Sequence, residues 1–341
     1  MIFKINYLKV TYLSIHSSSI GKRFRGRLAK LPHYQHINRI GWSHNLRLKF
    51  RVSASLISNI ITESQTSKVR RKQTRKLRNS YFGSALVIGG GPSMNNLSID
   101  QIRNFQANGG KIAVINGFIY SKLSQLIVPD FYFACDPAYW ENFDAEIEFR
   151  RLLNKYIASL GKSITIVQPS DKQKLVPCHD KYIYIGGFDV SGLVKIANPT
   201  SFWGLPASTS LIALSLTSYL GFNKIYFSGL DSDTYKRYFT NDLNELLLDK
   251  SKNYFYEESQ LKGKNTLDGQ IGILDMSKSL VPTMADVLYS HAIFFRDFEW
   301  LARKNKVSEY INVGQDTTND ISPRGCLIKN SSNQPNNNIF L

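Results

Sequence analysis

Cysteine is scarce in this chain of 341 residues, and acid is missing from its beginning. The three cysteines, Cys135, Cys178 and Cys326, are too few and too scattered for a disulfide framework or a zinc site, so the chain reads as a protein of a reducing, cytoplasmic compartment. No apolar run reaches the 18 or so residues of a membrane-spanning helix. The first 20 residues, broken by Lys4 and Lys9, lack the continuous apolar region and the cleavage site of a secretory signal. Of 43 basic and 26 acidic residues, 18 and one fall in the first 80, which leaves 25 of each in the other 261. The single early acid is Glu63. The body is formally neutral, and the whole excess of charge sits on an N-terminal arm.

That asymmetry and the hydrophobic periodicity divide the chain into a basic arm (1–80), one large domain (81–328) and a polar tail (329–341). The arm contains Lys22-Arg23-Phe24-Arg25-Gly26-Arg27 and a basic run over 68–78, and is expected to be partly helical and poorly packed. Its clusters supply electrostatics for an anionic membrane surface. Nucleic acid is the weaker alternative partner, because no zinc-finger or RNP-type motif accompanies the charge. A tail rich in Asn and Ser is expected to be disordered.

From Tyr81 onward, short apolar runs alternate with helical periodicity. Strands are expected at 85–88, 111–115, 131–135, 164–167, 182–185, 224–227 and 309–313, with helices at 99–107, 143–160, 211–220 and from Thr283 to about Lys304. Ser98 with Gln101, and Thr283 with Asp286, have capping-box spacing, and Gly221 fits a helix C-cap. The fold class is therefore α/β: a Rossmann-like parallel sheet with helices on both faces, preceded by a basic, partly helical N-terminal arm.

Candidate site residues follow from this order. Val87-Ile88-Gly89-Gly90-Gly91-Pro92-Ser93 reads as a buried strand breaking into a glycine turn, with a helix to follow. Backbone N–H groups can converge on an anion there, although Met94 stands where a dinucleotide fingerprint has its third glycine. Other strands end at Asn116, at Asp136-Pro137 and at Ser228-Gly229-Leu230-Asp231, and in open parallel sheets such ends converge on a ligand. Ser208, Thr209 and Ser210 open an uncharged helix whose N-terminus suits a phosphate. Tyr235 and Tyr238 could stabilise a departing phosphate. Asp231-Ser232-Asp233 resembles a metal-binding Asp-x-Asp, but no further carboxylate completes an oxygen shell, so no metal and no cofactor are expected. His291 lies on the stripe Val287, His291, Phe294, Phe298, Leu301. Its ordinary reading is a core-facing histidine, and its chemical one a general base with a pKa near neutrality. His179 is the weaker rival.

Together the glycine turn, Ile115-Asn116, Cys135-Asp136-Pro137 and the run from Leu220 to Asp231 resemble the ordered landmarks of bacterial metal-independent sialyltransferases. They are also similar to the motility-associated-factor glycosyltransferase-like family. The resemblance covers about 84–314. It implies an inverting glycosyltransferase that moves sialic acid or a related sugar from a CMP-linked donor to a glycan or protein hydroxyl. Donor contacts are implied at Gly90, Gly91, Pro92, Ser93, Asn116, Asp136, Thr209, Ser210 and Asp231, with His291 near the position of the base. Three departures stand out: Asp136 where those enzymes have Asn, Ser210 where they have Gly, and Asp233 where they have a phosphate-binding Tyr. Pterin pyrophosphokinases share the glycine turn and are the enzymatic alternative; a nucleic-acid-binding protein acting through the arm is the non-enzymatic one.

Overall fold

The computed structural model describes residues 63–140, 144–160, 164–186, 198–201, 208–231, 238–240, 246–249, 271–273, 284–304, 308–314 and 327. The arm before residue 63, the tail, Tyr235, Asp233, Thr283 and Cys326 lie outside the described residues.

The main sheet has seven strands, all parallel. They are β1 (Ser84–Ile88), β2 (Lys111–Ile115), β3 (Phe131–Phe133), β4 (Thr165–Pro169), β5 (Tyr182–Ile185), β6 (Lys224–Ser228) and β10 (Glu309–Asn312). A separate antiparallel sheet of three short strands comprises β7 (Tyr238–Thr240), β8 (Leu246–Asp249) and β9 (Ile271–Ile273). The helices are α1 (Gln65–Arg75), α2 (Ile99–Ala107), α3 (Asp144–Ser159), α4 (Thr209–Leu220) and α5 (Met284–Lys304).

Both faces of the sheet are covered because each strand is apolar on both sides. Successive side chains point to opposite faces. Ala85, Val87, Ala113, Phe131 and Phe133 therefore join one core with Leu211, Leu214 and Leu216 of α4 and Phe298 and Leu301 of α5. Leu86, Ile88, Ile112, Val114 and Tyr132 join the other with Ile102 and Phe105 of α2 and Phe149, Leu153 and Ile157 of α3. The Ser98–Gln101 capping box is formed in both directions, at 3.1 and 3.0 Å, and starts α2 at Ile99. Helix α4 stops at Gly221, whose φ of +112° favours glycine. A Cβ there would meet Tyr81 O at 2.4 Å, in the segment whose Asn79 and Tyr81 N–H groups bond the helix's last carbonyls.

Strand order is β5-β4-β3-β2-β1-β6-β10. The chain builds outward from β1 to β5, then returns to the other side of β1 to lay down β6 and later β10. The direction of winding thus reverses between β1 and β6, the point at which open parallel sheets bind their ligands.

The compact unit that holds the sheet begins at Glu63, within the segment read from sequence as the arm. Helix α1 packs on edge strand β5, with Ser67, Arg71 and Thr74 buried. Thr74 Oγ1 accepts from the outward N–H of Tyr184 at 2.8 Å, which satisfies a donor that a bare edge would expose. Seven of the basic residues counted with the arm, 68–78, therefore belong to the folded body.

Candidate functional site

Parallel register brings the carboxyl ends of β1, β2, β3 and β6 to one edge. Ile88 pairs with Ser228 and with Val114, and Ile115 with Phe133. Gly89–Ser93, Asn116, Asp136 and Gly229–Asp231 are thereby gathered, as their strand-end positions predict.

At the switch point the turns after β1 and β6 are locked together. Gly89 N–H donates to Ser228 O and Gly91 N–H to Gly229 O, each at 2.8 Å. A Cβ at Gly89 would meet Gly229 O at 2.2 Å, and one at Gly91 would meet Asp231 Oδ2 at 2.4 Å. Gly89 is thus required by close approach of backbone to backbone, and Gly91 by the Asp231 carboxylate packed against it. Ser93 is the hub of the contact. Its N–H donates to Asp231 Oδ2 at 2.8 Å and its hydroxyl to Asp231 Oδ1, while its Oγ accepts from Gly229 N–H at 2.9 Å. Ser228 Oγ donates to Ser93 O at 3.2 Å, and Gly314, just beyond β10, lies so near that a Cβ would meet Ser93 Oγ at 2.5 Å. Ser93 and Asp231 are both buried, and both carboxylate oxygens of Asp231 are engaged. Gly90, between the two locked glycines, keeps an N–H with no partner among the described residues and is half-buried. Pro92, exposed, opens a 3₁₀ turn over Pro92–Asn96.

Asn116, half-buried after β2, is different in kind. Its φ of +44° is left-handed, an uncommon conformation for a residue other than glycine. Its backbone oxygen accepts from the Tyr132 hydroxyl, and its Nδ2 donates to Thr209 Oγ1 at 3.2 Å. Oδ1 is buried and has no partner among the described residues. Thr209 is the first residue of α4, where Ser208 makes no side-chain capping bond, and Ser210 beside it is half-buried. Among the described residues no side chain caps the first-turn N–H groups of α4, which lie next to the unpartnered Oδ1 of Asn116, a combination suited to an anion with hydroxyls attached.

Asp136 is half-buried at the end of β3, where its carbonyl accepts from Tyr139 N–H at 3.2 Å. Neighbouring Cys135 is buried, and loss of solvation followed by the Asp136 charge hold its thiol well above the usual range. His291 is half-buried two turns from Phe298, which packs against Phe227 of β6 at 5.5 Å between ring centroids. The helical rise puts His291 about 10 Å beyond Phe298 toward the N-terminus of α5. Tyr238 is the first residue of β7.

His179 is corrected as a rival base. Its Nε2 lies 2.6 Å from the Ile164 carbonyl, just before β4, and its ring meets Tyr182 at the start of β5. Both positions are at the amino-terminal edge of the sheet, away from the gathered strand ends. Sequence reading did not separate Ser93 and Asp231, which fasten two turns, from Asn116, whose φ is left-handed and whose Oδ1 has no partner among the described residues. It also passed over Gly314, whose signal was a glycine immediately after a strand.

The chain is thus an α/β protein of Rossmann-like architecture with polar strand ends gathered at a topological switch point. No protein-family model matches the chain, and no curated protein matches it by sequence. Among solved structures it is similar to a MAf glycosyltransferase from Magnetospirillum magneticum AMB-1, at 13% identity and a TM-score of 0.43 over 77% of this chain. The chain spans 39% of that protein's length.

Proposed function

We propose that this protein is a glycosyltransferase that takes a sugar from a nucleotide-activated, CMP-linked donor and places it on a hydroxyl of a glycan or protein. One observation carries the reading: Asn116, at the carboxyl edge of the sheet, combines a left-handed backbone with a buried Oδ1 that has no partner among the described residues, beside the N-terminus of α4. An unmade buried hydrogen bond costs roughly 1–3 kcal/mol, and strained backbone about as much. Such costs persist where a ligand supplies the missing partner. A donor with a phosphate for Gly90 and the α4 terminus, and hydroxyls for Asn116, fits both needs. Ser93 and Asp231 hold the turn that presents Gly90, and Asp136 and Ser210 border the same edge.

In the transfer, the acceptor oxygen bonds to the anomeric carbon as the bond from that carbon to the donor phosphate breaks, and the bonding pair leaves with the phosphate. The acceptor proton passes to the imidazole of His291, and attack opposite the leaving group inverts the anomeric centre. Tyr235 and Tyr238 are assigned to the departing phosphate.

Calorimetric titration with CMP, UDP, GDP and ATP tests the donor class. CMP is expected to bind wild type and to lose at least tenfold affinity with N116A. H291A and H291N are expected to lower turnover by about 10²–10⁴ at unchanged CMP affinity and melting temperature. Binding of ATP together with a pterin, and of no sugar nucleotide, would overturn the reading in favour of a pyrophosphokinase.

A further inference from the structure

Helix α1 has five basic residues and no acidic one, and Lys76 follows as its cap. The structure divides them between two faces. On the inner face Arg71 forms a buried ion pair with Glu63 and donates to Thr200 O at 3.0 Å. Arg70 donates to Ser170 O and Lys172 O at 3.0 and 2.7 Å, and its guanidinium lies 4.9 Å from the centre of the Tyr184 ring. These two arginines fasten the helix to the edge of the sheet.

On the outer face Lys68, Lys72 and Lys76 are exposed at successive four-residue intervals, a single row about 12 Å long. None of their ammonium groups has a hydrogen-bond or ion-pair partner among the described residues. Of the acids near this edge, Glu63 is engaged by Arg71 and Asp171 by Lys172 at 3.7 Å. Val69, between Lys68 and Lys72, is 54% exposed, and Phe82, six residues after Lys76, is 90% exposed. Phe82 is rooted on the body by Tyr81, whose ring packs against Phe131 and Phe222 at 5.5 and 5.4 Å.

We propose that the outer face of α1 docks the protein on an anionic lipid bilayer, with Lys68, Lys72 and Lys76 over the headgroups and Phe82 entering the interface. Lysines fixed along one helix face meet an anionic surface without reorganisation, and an exposed aromatic on the same folded body finds at a bilayer the apolar boundary that a nucleic-acid duplex does not offer. This places the membrane contact on the folded body, independently of the donor site.

The test is sedimentation of the full chain with phosphatidylcholine vesicles, with and without phosphatidylserine. K68Q/K72Q/K76Q is compared with R103Q/K122Q/K155Q, which removes the same charge from exposed positions away from α1, β5 and Phe82. The α1 variant is expected to bind phosphatidylserine vesicles about a hundredfold more weakly than wild type, and the control variant at most severalfold. F82S is expected to weaken vesicle binding while leaving affinity for a single-stranded RNA unchanged. Equal losses in the two triple variants would overturn the proposal, as would an F82S protein that binds vesicles like wild type, or an α1 variant that loses RNA affinity alone.

Discussion

Ser93 and Asn116 lie on the same edge of one sheet, yet the structure treats them in opposite ways. Every polar group of Ser93 that the turn presents is matched by Asp231, Gly229 or Ser228, whereas Asn116 has a left-handed φ and an acceptor with no partner among the described residues. The contrast gives a prediction that separates stability from binding. N116G removes the penalty of the left-handed backbone, so it is expected to leave the urea midpoint unchanged or to raise stability by up to about 1 kcal/mol, while CMP affinity falls at least tenfold. D231A strands the Ser93 N–H and hydroxyl and is expected to cost about 2–4 kcal/mol in the same titration. A destabilised N116G that bound CMP normally would make Asn116 a structural residue. The strand-end position of both residues was legible from apolar runs breaking into polar ones. Their division of labour was not, because the Ser93–Asp231 contact joins residues 138 apart in the chain, and local pattern carries no information about such a pairing.

Elements with an apolar stripe or run were legible nearly to the residue. Helix α2 and strands β2 and β5 lie where the periodicity places them, and α3, α5 and β10 agree within a residue or two. Helix α1 was not legible as part of the domain, since its sequence lacks an apolar face. It is bound through Thr74, Ser67 and two arginines instead of through hydrophobic burial. Strands β7, β8 and β9, at three or four residues, are too short for a period to show. The role of α1 as a cover for the β5 edge predicts where the chain can be cut. A protein beginning at residue 63 is expected to be monomeric and to unfold cooperatively, whereas one beginning at residue 81 exposes the edge and is expected to aggregate or lose several kcal/mol. Size-exclusion chromatography with urea unfolding compares the two, and equal behaviour would return α1 to the arm. T74V, which removes only the acceptor for Tyr184 N–H, is expected to cost about 1–3 kcal/mol.

For the whole molecule, the two-sided core that positions the site also fixes how stability responds to alkali. The sheet carries tyrosines at its periphery whose ionisation burial opposes. Tyr182 is pushed up to about 12, mainly by loss of solvation, and its hydroxyl donates to Val176 O at 2.8 Å. Tyr81, Tyr156 and Tyr184 are shifted in the same direction, again chiefly by burial, as is the Cys135 thiol. In each case the folded chain retains a proton that the unfolded chain releases at lower pH. The stability these groups provide is complete below their unfolded values, near 8.5 for the thiol and 10 for the phenols, and is lost as pH rises through the folded values. The urea midpoint is therefore expected to be insensitive to these groups at pH 7–8, to begin falling near pH 9 and to fall more steeply between 10 and 12. Y182F is expected to be less stable at pH 8, because it loses the bonds with Val176, but to show a shallower decline between pH 10 and 12. Parallel declines for wild type and Y182F would show that Tyr182 ionises alike in the folded and unfolded chain.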